Sequence, residues 1–407
     1  FASDQSGAPG TASLALAMLD EGTTTRSALQ ISDELTRLGA TLDAGATLDA
    51  SRVSLEALTE NLDRSLALYA DVIQHPAFPA AELERLRQQR LARIRREEAE
   101  PTRAGLRILA PLLYGAGHAY ANPWSGTGTE ASVAAVNRAD LVRYQRTWFR
   151  PNHATLVITG ATTLREIKPR LERLFAGWPP GNVPAKEIGP ADRPAKSVVY
   201  LVDRPGALQS VILAGTLAPP EANPDEPALR VMHGVLGGDF GSRINMNLRE
   251  DKHWSYGAYV AFRDARGQRP FVAQAPVQTD KTSEAVVELG KELRQILKER
   301  PASADEVARA QASLTLTLPG SWETMEELAG AVAELVTFGL PDRYFDTYAD
   351  RILAQTPASV TAVAAKVIDP DRLVWVIVGD RAKIESGIRQ LDIGEVRVID
   401  ATGKPTT

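Results

Sequence analysis

The sequence predicts a protein of two similar domains and mixed class, α+β or a layered α/β sandwich. Three observations carry this. The chain has 407 residues, more than one ordinary hydrophobic core organises. It contains an internal echo: "VNRADLVRYQRTWFRPNHATLVITGA" (136–161) aligns with "QTPASVTAVAAKVIDPDRLVWVIVGD" (355–380) at an offset of 219 residues. Finally, helical and strand periodicities alternate within each half.

Each copy of the echo reads the same way. Asn137 or Thr356 is an N-cap residue opening a helix, and Pro151 or Pro370 ends it. An apolar run then predicts a buried strand, and Gly160 or Gly379 turns the chain toward the next helix. Further helices are expected over 11–20, 27–38, 62–73 and 80–99, with an alternating strand over 50–58. Between the copies, "WPPGNVPAKEIGPADRPAK" (178–196) has five prolines and no periodicity, so it reads as the linker. The expected division is a domain over 1–183, a linker over 184–196 and a domain over 197–407.

Composition narrows the function classes. Hydrophobic residues make up 44% and charged residues 24%, ordinary globular usage. A net charge of −5 supplies no field to gather nucleic acid. There is no cysteine, which removes disulfides, thiolate metal sites and cysteine nucleophiles; this fits either cytoplasm or periplasm and leans toward the oxidising periplasm, with the cytoplasm as the alternative. Apolar runs such as 373–378 are of strand length and too short to span a bilayer. The sequence opens on Phe1 rather than Met, so any leader or first strand preceding it lies outside the sequence.

Candidate chemistry is sparse. The arginine-rich "ERLRQQRLARIRRE" (84–97), with Leu83 just before it, places Leu83, Leu86, Leu91 and Ile94 on one side with Arg90 intruding, and reads as a solvated helix face, with a polyanion site as the minor alternative. "VLGGDFGSR" lacks the G-K-[ST] of a phosphate loop and follows a helix rather than a strand, so its glycines serve close backbone packing or the approach of a peptide strand. The five histidines, His75, His118, His153, His233 and His253, stand singly and without metal spacing.

"GTASLALAMLDEGTTTR" (10–26) nevertheless resembles the opening of the insulinase/pitrilysin family of zinc metallopeptidases. Gly10, Met18, Gly22, Thr23 and Arg26 keep the family's frame. Its H-x-x-E-H motif needs two imidazoles at i and i+4 with a glutamate beside them as general base. Those positions hold Ser13, Ala17 and Leu16, and the later glutamate ligand falls near Ala92 or Arg93. The resemblance continues through "LYGAGHAYANPWSGT" and "FRPNHATLVITG". It is most specific in "VYLVDRPGALQSVILAGTLAPP" and "ALRVMHGVLGGDFGSRINMNLREDKHWSYGAYVAF", where Ser242, Arg243 and Ile244 stand for S-R-L. Arg249 and Tyr256 match the family's arginine and next-strand tyrosine, which face the zinc site.

The resemblance implies an α+β protein of two homologous α/β domains of about 200 residues. Each would be a mostly antiparallel sheet packed with helices, the two facing each other as a clam shell. It implies a chain with no metal or cofactor of its own. A homologous zinc-bearing subunit would complete a heterodimeric peptidase acting on peptides or unfolded polypeptides, with Arg249 and Tyr256 binding substrate and stabilising the oxyanion. The alternative is a catalytically inert structural or chaperone-like scaffold.

Overall fold

The computed structural model describes residues 1–406. The chain is α+β and forms two compact units that interleave along the sequence. One comprises 1–96, 122–187 and 325–333; the other comprises 97–121, 188–324 and 334–407. The segment 97–121, which precedes the proline-rich stretch in sequence, thus clusters with the C-terminal strands.

In the first unit, helix Thr11–Ala17 is followed by Ala28–Leu38, which Ser27 opens with a capping box to Gln30. Strands β1 (Thr41–Ala46) and β2 (Ser51–Glu56) pair as an antiparallel hairpin. Leu14, Leu16, Met18, Ile31, Leu68, Val72 and Phe78 build the core between hairpin and helices. Helix Arg138–Trp148 is capped by Asn137, with Asp140 closing the box. The strand expected after Pro151 does not form. Residues 154–159 lie outside any strand, and Leu156 and Ile158 remain 44% and 41% exposed. Their β-branched, apolar composition specifies an extended run, but no neighbouring strand pairs with it, and a strand is defined by its partner.

The second unit is built on a six-stranded sheet. Its strands are β3 (Val198–Asp203), β4 (Gln209–Ala218), β5 (Tyr259–Phe262), β6 (Arg269–Gln278), β7 (Val374–Gly379) and β8 (Glu395–Ile399), in the order β5-β6-β4-β7-β3-β8. The pairings β5–β6, β6–β4 and β4–β7 are antiparallel, whereas β7–β3 and β3–β8 are parallel. Helices cover both faces. Ile212, Ala214, Trp375 and Ile377 enter the main core with Leu229, Leu289 and Val363 from flanking helices. On the opposite face helix Pro101–Tyr114 approaches so closely that a Cβ on Gly105 would meet Leu213 Cδ1 at 2.8 Å. Two buried faces explain why β7 reads as an unbroken apolar run and β4 as one interrupted within its buried stretch only by Ser210 and Thr216. The second copy of the echo therefore forms in full, with Thr356 capping Pro357–Val367 and β7 buried throughout. Residues 178–194 have no regular structure, as their prolines require.

One feature of this unit has no signature in the sequence. Arg269, fully buried at the start of β6, pairs with Glu221, Glu226 and Asp264, the last at 2.7 Å. Arg230 reaches the same three carboxylates at 2.8, 2.7 and 3.0 Å. Two guanidiniums thus face three carboxylates. Burial pushes the Glu221 carboxyl up to about 8, with Arg230 opposing and Glu226 adding to the shift. Although burial opposes ionisation of Asp264, Arg230 and Arg269 hold it below its usual range.

Candidate functional site

The first helix offers no zinc donors at the family's ligand positions. In helix Thr11–Ala17 the positions of the family histidines, Ser13 and Ala17, are half-buried, and Leu16, at the glutamate position, is fully buried in the core. A hydroxyl, a methyl and a packed isobutyl do not fit a zinc ion that takes imidazole or carboxylate ligands. Ala92 and Arg93 add no ligand, and the nearby Glu97 is buried against Arg107 at 2.7 Å. Among the described residues no group of three His, Asp or Glu side chains is arranged to hold a metal. Four of the five histidines have separate local partners: His75 meets Asp71, His118 the Gly189 carbonyl, His233 the Val260 carbonyl and His253 the Arg249 carbonyl; His153 is exposed at the surface.

What survives of the frame is architectural. Gly10 has a φ of 93°, and a Cβ there would meet the Thr127 carbonyl at 2.8 Å. Thr23 Oγ1 donates to Asp71 at 2.7 Å, and Arg26 bonds both Asp71 at 2.7 Å and Glu34 at 3.0 Å. This network ties the exit of the first helix to its neighbours without any metal.

The other candidate residues lie in the second unit, where a helical stretch ends in glycines. Helix Glu226–His233 runs into a wider π turn over Gly234–Gly238. A Cβ on Gly237 would overlap Val260 N, so only glycine lets this exit lie against β5. After Ser242 the chain re-enters a helix at Arg243 that again widens to π geometry through Met246–Asp251. Arg249 lies in its last turn, with 41% of its side chain exposed. Its guanidinium stands 4.8 Å from the Phe240 ring centroid and its Nε 3.2 Å from Glu250. Phe240 itself is 60% exposed.

Tyr256 departs from the expectation that it sits in a strand. It occupies a bend three residues before β5 and is 88% exposed. The cause is Ser255, whose Oγ donates to the Pro276 carbonyl at 2.6 Å and accepts the Gly257 N–H at 3.1 Å, curling the chain before pairing can begin. Among the described residues the Tyr256 hydroxyl has no hydrogen-bond partner. A guanidinium held only by a surface pair with Glu250 and a phenol exposed to solvent, on adjacent segments, can donate to a negatively charged or carbonyl oxygen.

Arg243 has a different role. It is buried and forms a fork on Glu306, 2.7 Å on each arm, while donating to the carbonyls of Arg300 and Pro301. Burial works against the ionised Glu306, but Arg243 and the Ser303 N–H outweigh it and hold the carboxyl at about 2. Because the folded value lies below the ordinary 4.5, the stability this pair supplies is present above pH 4.5 and lost as pH falls toward 2. We expect Arg243→Met to move the Glu306 carboxyl carbon titration upward and to abolish that acid-side loss. An unchanged titration by NMR would contradict the assignment.

Comparison with known proteins agrees with this architecture. The family model for insulinase (peptidase family M16) matches residues 2–117, and that for the peptidase M16 inactive domain matches 135–314. A Helicobacter pylori protein described as "Non-peptidase homolog YmxG" is 23% identical over 92% of this chain and 85% of its own length. A Bacillus subtilis protein described as "Uncharacterized zinc protease YmxG" is 25% identical over 60% of this chain, which spans only 57% of that relative. Among solved structures, a peptidase M16 inactive domain from Pseudomonas fluorescens superposes with a TM-score of 0.84 at 24% identity, covering 93% of this chain and 90% of that one. With the two family models together matching most of its length and the histidine–glutamate motif replaced, the chain belongs to the insulinase (M16) family as a member without the zinc-binding residues.

Proposed function

We propose that this chain is the zinc-less subunit of a heterodimeric peptidase. A homologous partner supplies H-x-x-E-H, and with it the metal, the activated water and the general base. This chain supplies Arg249 and Tyr256, which bind an extended peptide and donate to the oxyanion. The observation that carries the reading is the exposure of both donors. Tyr256 is 88% accessible, and Arg249 stacks on the 60% exposed Phe240 and pairs with Glu250 at the surface rather than closing a buried ion pair. The substrates are peptides or unfolded polypeptides. The cysteine-free sequence favours a periplasmic setting.

The test is to co-purify the chain with an H-x-x-E-H subunit and follow cleavage of a quenched fluorescent peptide. Cleavage by the pair, with none by this chain alone, is expected; a partner whose rate ignores this chain would refute the reading. A second reading, an inert scaffold subunit, draws support from the description of the Helicobacter relative as a non-peptidase homolog. It predicts complex formation with complete indifference to Arg249 and Tyr256.

A further inference from the structure

Resting on that reading of Arg249 and Tyr256, the geometry points to Asn245 as the positioning residue that couples the two donors. Asn245 is 5% exposed and lies one helical turn before Arg249. Its Nδ2 donates to the Phe240 carbonyl at 2.7 Å, and its Oδ1 accepts the Ala258 N–H at 3.3 Å. One arm therefore fixes the residue whose ring lies under the Arg249 guanidinium, and the other fixes the segment carrying Tyr256. The opposite side of that bend is held by the Leu248 carbonyl, which accepts the Trp254 N–H at 3.0 Å and the Ser255 N–H at 3.3 Å.

No other side chain hydrogen bond joins the glycine-rich loop to the Tyr256 bend among the described residues. The chemistry of the amide is what permits the link. It offers a donor and an acceptor on opposite arms, whereas a carboxylate offers only acceptors and an aliphatic group neither. Asn245→Leu keeps the volume and loses both arms. Asn245→Asp keeps the acceptor for Ala258 and turns a second oxygen on the Phe240 carbonyl.

The experiment has two arms. In this chain alone, amide hydrogen exchange is measured at Ala258. Asn245→Leu is expected to speed it by about three- to tenfold, the effect of one lost hydrogen bond, with a smaller increase in Asn245→Asp, which loses the Phe240 arm but keeps the acceptor for Ala258. Unaltered exchange in Asn245→Leu, or equal acceleration in both variants, would overturn the assignment whatever the chain's function. In the complex with an H-x-x-E-H subunit and a quenched fluorescent peptide, Tyr256→Phe is introduced with and without Asn245→Leu. Coupling predicts that the loss from Tyr256→Phe shrinks in the Asn245→Leu background. Additive losses would overturn the positioning role, while no loss from Tyr256→Phe in either background would overturn the proposed function and leave the exchange result standing.

Discussion

Arg249→Ala, in a complex of this chain with an H-x-x-E-H subunit, is expected to lower peptide cleavage by about 10²- to 10³-fold, the usual loss on removing one preorganised oxyanion donor. Tyr256→Phe is expected to fall in the same range, since it deletes one hydroxyl and keeps the ring. The side chains are exposed, so neither substitution should disturb folding beyond the small change typical of surface positions. Thermal unfolding of each variant alone checks that point. If the donors act only on the transition state, kcat and kcat/KM fall together; if they hold the ground-state peptide equally well, KM rises alone. Wild-type rates in both variants would leave only the scaffold reading.

How far the sequence reaches depends on how local the determining physics is. The capped helices were legible because an N-cap side chain and its partner three residues on lie within one turn, as with Asn137 and Asp140 or Thr356 and Ser359. β7 was legible because burial on both faces leaves an unbroken apolar run. Residues 154–159 carry the same signal and fail as a strand, since pairing depends on a neighbour that periodicity does not report. Tyr256 was legible as a type and a spacing, but its bend depends on Ser255 reaching Pro276, twenty-one residues away. Asn245 gave no signal at all. A single Asn in a helix reads as an ordinary polar position, and only its burial between Phe240 and Ala258 reveals a task.

The charge cluster around Arg269 is the extreme case, its five members scattered from Glu221 to Arg269 and brought together only by the sheet. Arg269→Ala is expected to destabilise the protein by about 3–5 kcal/mol, read from urea unfolding, because it strands buried carboxylates beside Arg230 alone. Glu221→Gln should behave oppositely. Glu221 is raised from 4.5 to about 8, so its contribution to stability is fully present below pH 4.5 and lost as pH rises through about 8. The glutamine keeps a neutral side chain at every pH, so the variant should gain on the wild type steadily across that window. Parallel stability curves for the two proteins between pH 5 and 8 would show that Glu221 stays ionised, and that Arg230 and Arg269 balance all three carboxylates despite their burial.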